Sequence, residues 1–278
     1  MSFTDWLFGG IENPVTNGRW GILHILTLVI CAVCIVGFYF IAKKSPDPVK
    51  AKRRIICTLA GLIAFFEIII RFVYFMKLYY FQHPEMAGTG PLWILIPKPW
   101  CAISCWLLIA CVFVKKAFFY DFSCLSALLC SVIFFAYPGV GYNNEIILFE
   151  NLYSIVTHAL LLTTSITLIV LKFTRFAYKE LWKVAVGFGL TYAYGLLQIF
   201  VLKTQTDPMY FMPNGDIQAG ILHISYGLYL FLYIALIVVY VNVFYLIGDK
   251  ASVKAFFRKR NKQTDEHANT EKVLQETK

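Results

Sequence analysis

Long, nearly charge-free apolar runs alternate with short polar connections along this chain, and seven of the runs read as membrane helices. They cover Trp20 to Ala42, Ile55 to Tyr80, Pro99 to Val114, Phe118 to Tyr137, Phe149 to Leu171, Leu181 to Leu202 and Gly220 to Ile247. The third run is short for a span unless Leu92 to Ile96 belongs to it or dips into the interface as a re-entrant piece. The pattern predicts an all-α membrane protein: one seven-helix transmembrane domain over 1–248 and a cytoplasmic tail, basic and then polar, over 249–278. The first 19 residues, with Trp6, Leu7, Phe8 and a Gly9-Gly10 turn, read as an interfacial lead-in. They carry neither the basic leader nor the small-residue cleavage site of a signal peptide, so the first helix is expected to be retained. In the sixth run, Ala185, Gly189 and Ala193 form a small-residue stripe that predicts close helix approach. Tyr137-Pro138-Gly139 predicts the end of the fourth helix.

Composition agrees: 59% of the 278 residues are hydrophobic and 15% charged. The charges also orient the chain. Eighteen lysines and arginines fall between runs 1 and 2, 3 and 4, 5 and 6, counting Lys183 at the edge of run 6, and at the start of the tail. The opposite side carries only Arg19, Lys77, Lys98 and Lys203, with seven acids. The positive-inside rule therefore predicts an outside N-terminus, a cytoplasmic C-terminus and an odd number of spans in the cell membrane. The net charge of +9 is accounted for by the inner-leaflet surface, so no nucleic-acid partner is implied. All eight cysteines lie inside predicted spans, which argues against a disulfide framework or a loop metal site.

Polar residues inside the spans carry the candidate chemistry. Glu67 lies near the middle of the second run, and Arg71, one turn outward, shares its face with Tyr74. An isolated charge at that depth is costly, so the two are expected to pair. They serve either as a brace between helices or as a site where Arg71 binds an anionic headgroup that Glu67 positions. Cys101 follows Pro97-Lys98-Pro99-Trp100. With Pro99 at the first helical position, Cys101 falls near the third, where free N–H groups and the helix dipole favour a thiolate. The alternative is a small hydrophobe packing in an apolar protein.

His24 shares a face with Thr27 and Cys31 and is expected to point into the bundle, either as part of a site or simply hydrogen-bonded there. His158, on one face with Asn151 and Ser154, is a candidate base for the thiol, provided the third helix starts deep, below a re-entrant Leu92 to Lys98. Tyr192, Tyr194 and Gln198 are candidates to line a cavity, and His223 opens the seventh helix. His24, Arg71, Cys101, His158 and His223 share one leaflet, which predicts a single polar cavity opening outward. The loop Tyr142 to Glu145 either covers that cavity or merely connects.

Ile96-Pro97-Lys98-Pro99-Trp100-Cys101, then Tyr137-Pro138 and His158, together with His24 and the Met209-Tyr210-Phe211 loop, resembles the YwaF-like family of bacterial integral membrane proteins. That family is similar to a eukaryotic branch containing a Cys/His ether-phospholipid acyltransferase, and more distantly to Thr/His lipid hydrolases of the androgen-induced type. The resemblance covers about residues 15–248. It implies an acyl-accepting cysteine at Cys101 and a histidine base at His158. Pro99-Trp100 departs from the more aliphatic run expected there, and leaves Cys105 as the other thiol to consider.

Three functions fit these residues. In the first, a membrane-embedded lipid-acyl transferase or hydrolase uses Cys101 as nucleophile and His158 as base and then acid, needing no cofactor. A phospholipid or fatty-acyl substrate would be held by Glu67, Arg71, His24, Tyr194 and His223. In the second, His24, His158 and His223 ligate an intramembrane metal. In the third, a transporter subunit or receptor for a small molecule or lipid uses the same cavity without catalysis; no inverted repeat or pair of broken helices supports alternating access.

Overall fold

The computed structural model describes residues 2–8, 20–82, 90–97, 100–136, 142, 147–203, 210, 212–213 and 222–249, and among these it is all-helical. The helices are α1 (Phe3–Phe8), α2 (Ile22–Lys44), α3 (Pro48–Tyr79), α4 (Pro91–Leu95), α5 (Cys101–Val114), α6 (Ala117–Ala136), α7 (Phe149–Val170), α8 (Leu181–Phe200) and α9 (Tyr226–Gly248). Six of them, α2, α3, α6, α7, α8 and α9, are long and apolar enough to cross a membrane. The turn expected at Pro138-Gly139, the 143–146 segment, Lys98-Pro99 and the tail beyond Asp249 lie outside the described residues.

α6 is the hub. Thirteen of its 20 residues are buried, and it packs against α5, α7 and α8. Ser123, Ser126, Ala127 and Ser131 supply the small side chains that let neighbouring backbones approach. The polarity of the bundle is inverted relative to a water-soluble protein. Glu67, Lys77, Asp121, Ser104 and Gln198 are at most 1% exposed, whereas Ile22, Phe113, Leu190 and Phe231 are 67–86% exposed. Apolar surface outside and hydrogen-bonded polar groups inside is the distribution that a lipid solvent favours. Together with the six apolar helices, it supports a multi-pass membrane protein.

Three local features depart from the sequence pattern. α3 begins at Pro48, not Ile55: Asp47 accepts a hydrogen bond from the Lys50 N–H at 3.0 Å, and Pro48 fits the first turn. The basic residues Lys50 to Arg54 thus extend the helix instead of forming a loop. α5 begins at Cys101, with Trp100 as N-cap at φ 32°, so the thiol occupies the first helical position and not the third. A positive φ in so bulky a residue costs about 1–3 kcal/mol. Its indole is buried against Phe188 and Tyr192, with ring centroids 6.1 and 5.8 Å away. Finally, the Ala185-Gly189-Ala193 stripe does not make the close contact expected of it. A Cβ added at Gly189 would have no neighbour within 4 Å, whereas one at Gly187 would lie 2.9 Å from the Phe122 ring.

At the basic end of the bundle, Asp121 ties three elements together. Its carboxylate accepts from the N–H groups of Arg175 (2.9 Å) and Phe176 (3.1 Å) between α7 and α8, and from the Tyr245 hydroxyl of α9 (3.4 Å). At the opposite end, α1 packs on α3 and α7. Trp6 Nε1 donates there to the Ile147 carbonyl at 2.8 Å, and Lys77 pairs with Glu150 at 2.7 Å.

Candidate functional site

α4 determines where α5 starts. It packs against α3, with Ile94 buried and the Trp93 ring 5.2 Å from Tyr74. The chain therefore descends along α3 before α5 begins. His158 is nine residues into α7, about 14 Å from its start, and Cys101 lies beside it. α5 thus begins level with His158, near the middle of α7. The two sequence-selected residues are in contact, Cys101 Sγ lying 3.1 Å from His158 Nε2.

The histidine's tautomer follows from its other nitrogen. Nδ1 is 2.7 Å from the Ser154 carbonyl oxygen, which can only accept, so Nδ1 carries a hydrogen and Nε2 of the neutral ring offers its lone pair to the thiol. Phe134 of α6 stacks on the ring at 3.8 Å with an 8° tilt and fixes its plane. Cys101 also neighbours Cys130 of α6, whose sulfur is 3.4 Å from the Ser104 hydroxyl, itself 2.8 Å from Ser126. The N–H groups of Cys101, Ala102 and Ile103 precede the first intrahelical bond of α5, from Ser104 to Trp100.

Cys101 and His158 open onto a cavity of about 150 Å³, lined also by Glu67, Arg71, Tyr74 and Tyr153. The expected Glu67–Arg71 pair is formed at 2.6 Å, and the same Arg71 nitrogen donates to the Glu67 carbonyl oxygen at 2.7 Å. The other Glu67 oxygen accepts from Tyr153 at 2.6 Å. Glu67 is wholly buried, while the Arg71 side chain is 18% exposed and stacks on Trp106 at 5.3 Å. A carboxylate held from two sides thus orients one cation toward the thiol's cavity. Sequence reasoning missed Tyr153, Trp106 and Phe134. None shares a helical face pattern with the residue it contacts, since all three contacts run between helices.

The remaining candidates are placed elsewhere. His24 is fully buried but packs among Trp20, Tyr142 and Phe135, with centroids 4.7, 4.9 and 5.8 Å away, and does not line the cavity. Tyr142 is buried in this cluster, where burial pushes its phenol up from the ordinary value. His223 is exposed ahead of α9. The three histidines are therefore not brought together, and among the described residues no group of three His, Cys, Asp or Glu side chains is arranged to hold a metal. Tyr194 stands behind the site: it and Gln198 donate to the Pro97 carbonyl oxygen at 3.2 and 2.9 Å, tying α8 to the segment that enters α5. Cys105 is wholly buried one turn below Cys101 and does not line the cavity.

Fold and site together define a polytopic helical protein with a thiol–imidazole pair at the edge of a charged, partly enclosed cavity. No family model, curated protein or solved structure matches the chain.

Proposed function

We propose that the protein is a lipid-acyl transferase or hydrolase of the cell membrane, with seven spans, an outside N-terminus and a cytoplasmic C-terminus. The seventh span in this reading is α4 with α5, because α5 alone, at 14 residues, reaches about 21 Å of a hydrocarbon core of about 30 Å. The charge asymmetry between the two ends of the bundle supports the orientation. The observation that carries the reaction is the 3.1 Å contact between Cys101 Sγ and His158 Nε2 at a cavity that also holds Arg71. The likeness of Ile96 to Cys101, and of His158, to the YwaF-like proteins points the same way.

In this mechanism His158 Nε2 takes the thiol proton and Cys101 Sγ attacks the carbonyl carbon of a fatty-acyl ester. A C–S bond forms and the carbonyl π electrons move to oxygen, where the first N–H groups of α5 and the Arg71 charge stabilise them. The tetrahedral intermediate collapses, the C–O bond breaks, and the imidazolium gives its proton to the leaving alkoxide. The thioester is then resolved by an acceptor hydroxyl or water that His158 deprotonates, which regenerates the thiol. The alternative, a lipid or small-molecule binding protein, rests on the same Arg71 facing the same cavity.

The test supplies labelled phospholipids to the purified protein in lipid nanodiscs. Acyl turnover, with a hydroxylamine-labile acyl group on Cys101, is expected in the wild type and lost in Cys101→Ala. Turnover that persists in Cys101→Ala overturns the mechanism. Phospholipid binding without turnover in the wild type favours the binding protein.

A further inference from the structure

An acyl-enzyme on Cys101 must house its acyl chain, and the cavity beside the thiol is too small: at about 30 Å³ per liquid water its volume corresponds to about five waters. A second cavity of about 930 Å³ lies on the other side of the first turns of α5. Cys101 and Ala102 line the small cavity, while the next residue, Ile103, lines the large one. Trp106 divides them. Its ring faces the large cavity and carries the Arg71 guanidinium, which faces the small one. The long wall of the large cavity is α8, through Lys183, Val186, Leu190 and Tyr194 at helical spacing. Its far end is framed by Phe118 and Trp182, with the Lys183 amine 5.2 and 5.8 Å from their ring centroids. The apolar groove on the opposite face of α8, against α9, touches no residue of α5, so a chain lying there would not approach Cys101.

We infer that the cleft between α5 and α8 is the acyl-chain site and chain-length ruler of the reaction proposed above, on which this inference rests. The ester carbonyl lies at Cys101 in the small cavity, the acyl chain passes Pro97 and Trp106 into the cleft at Tyr194, and its methyl end lies at Phe118 and Trp182. From Tyr194 to Trp182 is about 18 Å along the helix axis. An all-trans chain of carbon–carbon bonds of about 1.5 Å advances about 1.25 Å per bond, so the cleft measures about 14–16 carbons. Its floor depends on Gly187, where the Phe122 ring lies so close that a Cβ would meet it at 2.9 Å.

The experiment has two parts. A phospholipid whose palmitoyl chain ends in a photoreactive diazirine is incorporated into nanodiscs with the Cys101→Ala protein, irradiated, and the adducts mapped by mass spectrometry. Adducts concentrated on Phe118, Phe122 and Trp182, and competed by unlabelled palmitoyl phospholipid, are expected. Adducts spread over the lipid-exposed faces of α2 and α9 without competition overturn the site.

In the second part, Val186→Trp fills the cleft from a wall residue that is half exposed, which spares the core. Turnover of a 16-carbon donor is expected to fall about tenfold or more, with a donor of about eight carbons retained within about twofold. Equal loss with both donors overturns the ruler. The two proposals fail separately: labelled cleft residues without acyl turnover in the wild type refute the reaction, whereas turnover with labelling elsewhere refutes the cleft.

Discussion

His158 donates its Nδ1 hydrogen to the carbonyl oxygen of Ser154, 2.7 Å away and one turn earlier in α7. This backbone contact leaves Nε2 to accept from Cys101 and makes the thiol's environment depend on the ring. His158→Ala is expected to slow alkylation of Cys101 by N-ethylmaleimide about tenfold or more, and to lower acyl turnover about a hundredfold. Ser154→Ala keeps the carbonyl and is expected to leave both rates within about twofold. Equal alkylation of Cys101 in wild type and His158→Ala would show that the contact does nothing to the thiol.

Glu67 sits between Arg71 and Tyr153, and its two oxygens are committed to different helices. Tyr153→Phe removes one bond to a charged acceptor and should lower unfolding stability in detergent by about 1.5–3 kcal/mol. Glu67→Ala leaves the guanidinium without its carboxylate and should cost about 3–5 kcal/mol, whereas Glu67→Met with Arg71→Met should restore much of that loss. Thermal unfolding of the four proteins checks the order. A double variant no more stable than Glu67→Ala would contradict it.

The parts of this site legible in the sequence are those written along one helix. The i,i+4 spacing of Glu67 and Arg71 predicts their pairing, and the depth of His158 in its run specifies how deep α5 has to begin. Contacts between helices are not written this way. Tyr153 reaches Glu67 and Trp106 reaches Arg71 only because α5 and α7 both pack on α3. A face pattern places His24 inside the bundle but does not say which interior, and the ring lies in an aromatic cluster away from the thiol. The early start of α3 was signalled by Asp47-Pro48, but the basic residues that follow lower the hydropathy by which spans are recognised. Glycine stripes likewise reveal small size without the neighbour: Gly187, outside the stripe, makes the close approach and Gly189 does not.

Asp121 holds the α7–α8 connection and α9 at the basic end, remote in the fold from the cavity at the start of α5. Asp121→Ala leaves two backbone N–H groups without that acceptor and is expected to destabilise the fold by about 2–4 kcal/mol. The alkylation rate of Cys101 should stay within about twofold at temperatures where the variant remains folded. A large change in that rate would mean that the two ends are energetically coupled.

The Pro97 carbonyl oxygen takes hydrogen bonds from Gln198 Nε2 at 2.9 Å and from Tyr194 Oη at 3.2 Å, donors one turn apart on α8. Pro97 stands four residues before Cys101, so these bonds fix the position from which the thiol is presented to His158. Either donor alone still satisfies the carbonyl, so Tyr194→Phe and Gln198→Leu should each cost about 1 kcal/mol of stability and change Cys101 alkylation less than about threefold. Together they free the segment. Because a displacement of about 1 Å can cost about a hundredfold in a positioned reaction, the double variant should lose acyl turnover far beyond the product of the single effects. Its KM for phospholipid should rise no further than that of Tyr194→Phe alone, since Tyr194 lines the acyl cleft whereas Gln198 lines neither cavity. Additive losses, or a KM in the double variant well above that of Tyr194→Phe, would assign the effect to substrate binding instead of to positioning the thiol.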